Sequence, residues 1–175
     1  VEDLVTRLNR TIRDVPDFPK PGIMFKDITP VLAQPRLLRA TINHFAELYT
    51  GRHIDAVVGM ESRGFIFGAP LAMELGAAFV PARKPGKLPY TTISYEYDLE
   101  YGSNRLEMHT DALKEGQRVL VMDDLLATGG TALAACKLIG ALKAEVVACC
   151  FVIELGFLNG RSQLGPVPVE SILIY

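Results

Sequence analysis

Asp123 and Asp124 stand side by side after the apolar run 119–122, and the small polar stretch LLATGGT (125–131) follows them. Neighbouring carboxylates repel, so a chain that keeps both needs hydroxyl donors, water or a metal to offset the charge. Ribose hydroxyls or Mg²⁺ would serve. In the stretch behind them Ala127, Thr128, Gly129, Gly130 and Thr131 combine missing side chains with hydroxyl groups. Backbone amides can therefore approach an anion where a helix begins and its dipole favours negative charge. The alternative is a plain strand-to-helix turn with Thr131 as the helix cap. Two further stretches carry charge-assisted donors for an anion: ESRG (61–64), with Ser62 and Arg63, and RKPGKLP (83–89), with Arg83, Lys84 and Lys87. Taken alone, the second would be solvated surface, and Ser62 would be a helix cap beside a solvated Arg63.

These loops need a scaffold that gathers them. The stretches 54–60, 77–83, 117–123 and 145–155 are short, apolar and β-branched, as strands buried on both faces are. Between them lie helical patterns at 65–75 and 130–142. Alternation of this kind predicts an α/β fold, a central, mainly parallel sheet flanked by helices, with ligands at the carboxyl ends of the strands. Both ESRG and DDLLATGGT fall where a strand hands over to a helix, so they should meet at one edge. Upstream, Leu4, Leu8 and Ile12 predict a helix from Glu2 to about Arg13, and Pro16, Pro19, Pro21 and Gly22 end it. A second helix is expected over 35–49, with Leu38, Ile42, Phe45 and Leu48 on its apolar side and Gly51 closing it. From Lys84 to Gly116 the pattern turns polar and tyrosine-rich, which predicts a hairpin or flap with strands at 92–97 and 104–109.

At 175 residues the chain fits one principal domain, with 1–34 as an N-terminal helix and binding segment and 84–116 as the flap. Its 49% hydrophobic and 22% charged residues are those of an ordinary globular protein, and a net charge of -2 offers no global field for nucleic acid. Cys136, Cys149 and Cys150 have neither disulfide nor metal spacing and are expected to be buried free thiols, which suits the cytoplasm. His44, His53 and His109 show no metal spacing either. No apolar leader and no apolar run near the ~20 residues of a membrane span occur, so no membrane is expected. Neither G-x-x-x-x-G-K-[ST] nor G-x-G-x-x-G is present, which removes the anchors of the common nucleotide folds.

The whole of 119–135, apolar residues, Asp123-Asp124, LLATGGT and a small-residue helix, is similar to the phosphoribosyl pyrophosphate (PRPP) signature of the type I phosphoribosyltransferases. FPKPGIMFKDITPVL (18–32), ESRGFIFGAPLA (61–72), RKPGKLP (83–89) and LEYG (99–102) resemble the adenine-using branch of that family. The resemblance implies transfer of phosphoribose from PRPP to adenine, giving AMP and pyrophosphate in purine salvage, with Mg²⁺ as cofactor and a homodimer as the assembly. It implies a small base-binding hood at the N-terminus and a flexible flap. Asp123 and Asp124 would hold the ribose hydroxyls, directly or through water and Mg²⁺, and Ala127 to Thr131 would cradle the 5-phosphate.

By the same resemblance Ser62, Arg63, Arg83, Lys84 and Lys87 bind pyrophosphate, and a non-proline cis peptide precedes Ser62. Glu100 closes over the base at purine N7 with Tyr101 beside it, while Tyr95 and Tyr97 help exclude water or form cross-strand aromatic pairs. Met24 and Phe25 would sandwich the base, with backbone near Lys26 reading its edge; relatives often have arginine where Lys26 stands, and the planar fork is lost here. Two alternatives remain open: a transferase for xanthine or hypoxanthine, and a non-catalytic PRPP-sensing regulator.

Overall fold

The computed structural model describes residues 2–99 and 102–175. Its packing forms two units, one ending at His44 and one running from Phe45 to Tyr175.

In the first unit α1 (Leu4–Thr11) is capped by Asp3, whose carboxylate accepts from the Thr6 amide at 2.9 Å and the Thr6 hydroxyl at 2.8 Å. This cap makes the helix shorter than expected at its start. At the other end Arg13 already belongs to β1 (Arg13–Pro16), which pairs antiparallel with β2 (Met24–Asp27). That hairpin is absent from the sequence expectation, because β1 is four residues long and ends on a proline. Phe18 meets Phe25 edge-on at 5.1 Å, and Lys26 donates to its cross-strand partner Asp14 at 2.6 Å. After α2 (Thr29–Leu32) comes α3 (Pro35–Tyr49), with the bounds expected of it. Its buried residues are Leu37, Thr41, Phe45, Ala46 and Tyr49; of the expected side Phe45 is buried, Leu38 and Ile42 are half-buried and Leu48 is exposed. The Thr41 hydroxyl bonds back to the Leu37 carbonyl at 2.9 Å, which lets a polar residue occupy the buried face.

The second unit contains β3 (Ala56–Met60), α4 (Arg63–Leu75), β4 (Ala78–Ala82), the hairpin strands β5 (Thr92–Leu99) and β6 (Gly102–His109), β7 (Arg118–Leu126), α5 (Gly130–Ala141), β8 (Glu145–Glu154) and β9 (Val169–Ile174). Two short 3-10 turns, Gly156–Leu158 and Gly160–Leu164, lie between β8 and β9. The sheet order is β4-β3-β7-β8-β9, with every pairing parallel. Val119 to Met122 at its centre are fully buried, as the continuous apolar run requires. The edge strand β9, which follows a proline-rich stretch, is an addition to the expected strands. Helix α4 packs on β3, β4 and β7, while α5 packs on β7, β8 and the hairpin.

Cys149 and Cys150 are buried and Cys136 is partly so, all as free thiols, in agreement with the expectation. Among the described residues no helix is long and apolar enough to cross a membrane.

Candidate functional site

The aspartates lie inside β7 rather than at its end, which corrects the sequence reading. Strand β3 stops pairing with β7 at Gly59 opposite Met122, whereas β8 continues alongside to Leu126 opposite Glu154. From Asp123 onward β7 has therefore lost one neighbour, and a small cleft opens there. Asp123, residues 125–132, Met60 and Phe151 line it.

Asp124 is only 5% exposed, and the Arg63 guanidinium donates to its Oδ2. Its own amide donates to Asp123 Oδ1 at 2.9 Å. Burial first, and then the charge of Asp124, push the Asp123 carboxyl well above its ordinary pKa, while Arg63 opposes the rise. The chain thus supplies the cation that offsets its paired carboxylates.

Beyond β7 the loop turns into α5 through Gly129, which has φ 89° and caps the helix with no side-chain bond. Thr131 is already inside the helix and is not its cap, so the first helical amides are left for an external acceptor. Crowding around this turn is severe. A Cβ on Gly129 would run into the Gly160 carbonyl, one on Gly160 into the Ala127 carbonyl, and one on Gly130 would lie 2.9 Å from the Tyr97 ring. Tyr97 is 9% exposed, and its hydroxyl is 3.0 Å from Thr131 Oγ1. It therefore packs on this turn, and Tyr95 is half-buried against the same core; neither belongs to an exposed aromatic pair.

The peptide between Glu61 and Ser62 is cis, as expected. Ser62 is exposed and begins α4 without a side-chain cap bond. A Cβ on Gly64 would come within 2.6 Å of the Met122 carbonyl, so glycine lets the start of α4 reach β7 and brings Arg63 to Asp124. Arg83 donates to Glu61 at 3.2 and 3.3 Å and to the Lys87 carbonyl at 3.2 Å. The Lys84 amide, 3.0 Å from Glu61, is the main reason that the Glu61 carboxyl lies below its ordinary pKa, with Arg83 adding to it. Glu107, 8% exposed on β6, accepts from the Gly86 amide at 3.1 Å and so holds the other side of this loop. Lys84 and Lys87 are exposed.

Residues 27–167 match the family described as the phosphoribosyl transferase domain. The chain belongs to the phosphoribosyltransferase family. Within it, the chain is 60% identical over 169 residues to an adenine phosphoribosyltransferase of Methylococcus capsulatus, covering 97% of this chain and 99% of that protein. The crystal structure of adenine phosphoribosyltransferase from Thermoanaerobacter pseudethanolicus has 50% identity and a TM-score of 0.95, covering 98% of this chain and 99% of that one. The Saccharomyces cerevisiae enzyme, complexed with adenine and an imino-altritol bisphosphate, has 41% identity and a TM-score of 0.92, with 97% and 98% covered.

In this phosphoribosyltransferase the three residues expected to meet the base follow one another on β2. Met24 is 50% exposed, Phe25 is half-buried beside Phe18, and the Lys26 ammonium is engaged by Asp14. Glu100 and Tyr101 lie outside the described residues. His53 pairs with Asp55 at 3.2 Å, and His109 accepts from the Tyr90 amide at 3.3 Å. No group of three or more His, Cys, Asp or Glu side chains able to hold a metal occurs among the described residues. Sequence reasoning misses Gly160 and Glu61, which buttress the site. Their only signals are the glycine itself and a carboxylate two residues before Arg63, and neither is distinctive without the fold.

Proposed function

We propose that the chain transfers the 5-phosphoribosyl group of PRPP to N9 of adenine, releasing AMP and pyrophosphate in purine salvage. The observation that carries this is the uncapped start of α5 opening into a cleft that Asp123 lines, with Asp124 next to it in the chain. Near full-length likeness to enzymes named for adenine supports the choice of base.

Each group has a task in this reading. Amides and hydroxyls of Ala127, Thr128, Gly129, Gly130 and Thr131 take the 5-phosphate, and Asp123 and Asp124 take the ribose hydroxyls. Displacement at the anomeric carbon passes through an oxocarbenium-like state, so donors must neutralise the departing pyrophosphate. Ser62, Arg63, Arg83, Lys84 and Lys87 do so with charge-assisted hydrogen bonds. Met24 and Phe25 sandwich the base and backbone near Lys26 reads its edge. Glu100, sharing a proton with purine N7, raises the nucleophilicity of N9, and Tyr101 helps exclude water.

Mg²⁺ suits the hard oxygens of two carboxylates, and its other ligands would come from PRPP and water. When bound, it would neutralise charge on the leaving group. A homodimer would cover exposed apolar side chains such as Met73, 81% exposed on α4. Sedimentation at several concentrations tests that assembly.

The function is tested by incubating the protein with PRPP and each of adenine, hypoxanthine, guanine and xanthine, with and without Mg²⁺. AMP and pyrophosphate should form from adenine and require the metal. No nucleotide from adenine, or faster turnover of another base, would overturn the reading.

A further inference from the structure

We propose that Tyr97 is a positioning residue for the sugar phosphate: its hydroxyl, carried on the hairpin strand β5, aims the hydroxyl of Thr131 into the cleft. This rests on the reading of the cleft as the PRPP site. Two independent features of the molecule support it. The Tyr97 oxygen is 3.0 Å from Thr131 Oγ1, at the mouth of α5, and Thr131 lines the cleft. The Tyr97 ring also presses on Gly130, where even a methyl group would come to 2.9 Å, so the phenol is held in place by packing and is not a swinging surface side chain.

The chemistry follows from the hydroxyl inventory. A threonine hydroxyl has one proton to donate and two lone pairs to accept with. Either oxygen of the Tyr97–Thr131 pair can donate while the cleft holds no anion. An anion in the cleft settles the direction, because it can only accept: Thr131 donates to the phosphate, and its oxygen accepts from Tyr97. Each bond polarises the next, so the phenol strengthens the threonine as a donor. Without the phenol hydroxyl, the Thr131 side chain is free to choose among its staggered rotamers. Because Tyr97 belongs to β5, occupation of the phosphate loop also tightens its hold on the hairpin. The loop and the hairpin are thus coupled through one hydrogen bond.

Tyr97→Phe removes the hydroxyl and keeps the ring on Gly130, so the packing survives. Calorimetric titration should show the Kd for ribose 5-phosphate rising about three- to tenfold, the range that one hydrogen bond supplies, with the Kd for pyrophosphate unchanged. In turnover, KM for PRPP should rise by a similar factor while kcat stays nearly constant. Thr131→Ala should also weaken ribose 5-phosphate, and the double variant should be no weaker than Thr131→Ala alone.

An unchanged Kd for ribose 5-phosphate in Tyr97→Phe would overturn the proposal. So would equal weakening of pyrophosphate, which marks general loosening, or additive losses in the double variant. A wild-type protein that binds neither ribose 5-phosphate nor PRPP would overturn the reading of the cleft itself. Normal wild-type binding with an indifferent Tyr97→Phe would remove this inference alone.

Discussion

The two anion-binding ends of the proposed site are built from different materials. At the proposed phosphate end the donors are main-chain amides and threonine hydroxyls at an uncapped helix start, fixed by close contacts with Gly160 and Tyr97. At the proposed pyrophosphate end they are guanidinium groups already engaged by carboxylates, Arg63 by Asp124 and Arg83 by Glu61. A phosphate arriving at the first end would meet main-chain amides that cannot turn elsewhere, and only the Thr131 hydroxyl has to turn from Tyr97. A pyrophosphate arriving at the second must compete with resident carboxylates for each arginine. The difference suits a reaction in which one anion stays through turnover and the other leaves: in the proposed site the retained group would sit on main-chain donors, and the released group on side chains with a partner to return to.

Five variants test this contrast. Asp124→Asn is expected to have the largest effect, because it removes the charge of both a proposed ribose contact and the partner of Arg63. It should lower kcat/KM for PRPP by about a hundredfold or more with the fold retained, and unchanged kinetics would exclude the carboxylate from the mechanism. Gly130→Ala comes next. Its methyl would collide with the Tyr97 ring, whereas Gly140→Ala in the same helix meets nothing. The first should weaken ribose 5-phosphate by about tenfold, as overpacking of ~1.4 kcal/mol implies, and the second should leave binding intact and raise Tm slightly.

Glu61→Gln addresses the other end. Freed from a full carboxylate, Arg83 should shift the Kd for pyrophosphate by about three- to tenfold and leave ribose 5-phosphate untouched. An effect on both ligands would mean that the two ends are not independent. The smallest effect concerns pH. Arg161, in the turn that contains Gly160, donates to Glu154 at 2.9 and 2.6 Å, and this hydrogen bonding holds the Glu154 carboxyl below its ordinary pKa. A depressed folded-state pKa contributes stability above the unfolded value near ~4.3 and loses it as pH falls through the folded value. Glu154→Gln should therefore flatten the acid limb of urea-midpoint stability, by about 1 kcal/mol or less given the exposure of Arg161. An unchanged acid limb would show that the pair does not brace the turn.

Chemistry carried by contiguous residues is legible in the sequence itself. A loop that offers amides to an anion needs small residues and hydroxyls in succession, and DDLLATGGT states that directly. The same is true of the parallel sheet, whose buried strands read as apolar runs. What sequence reading misses is carried by distance along the chain or by brevity. Tyr97 and Thr131 are separated by 34 positions, and the bond between them exists only because α5 packs on the hairpin. Glu61 serves Arg83 only because β3 and β4 lie side by side. The β1–β2 hairpin escapes notice because four residues ending in proline carry almost no periodic signal. The buried side of α3 is only partly legible because Thr41 hides its hydroxyl on Leu37.

A crystal structure of the protein with PRPP and Mg²⁺ bound would decide whether the loop after β7 holds the sugar phosphate. The 5-phosphate should lie within hydrogen-bond reach of the amides of 127–131 and of the Thr131 hydroxyl, with the ribose hydroxyls facing Asp123 and Asp124. Phosphate density elsewhere, with that cleft closed by the chain's own side chains, would contradict this placement.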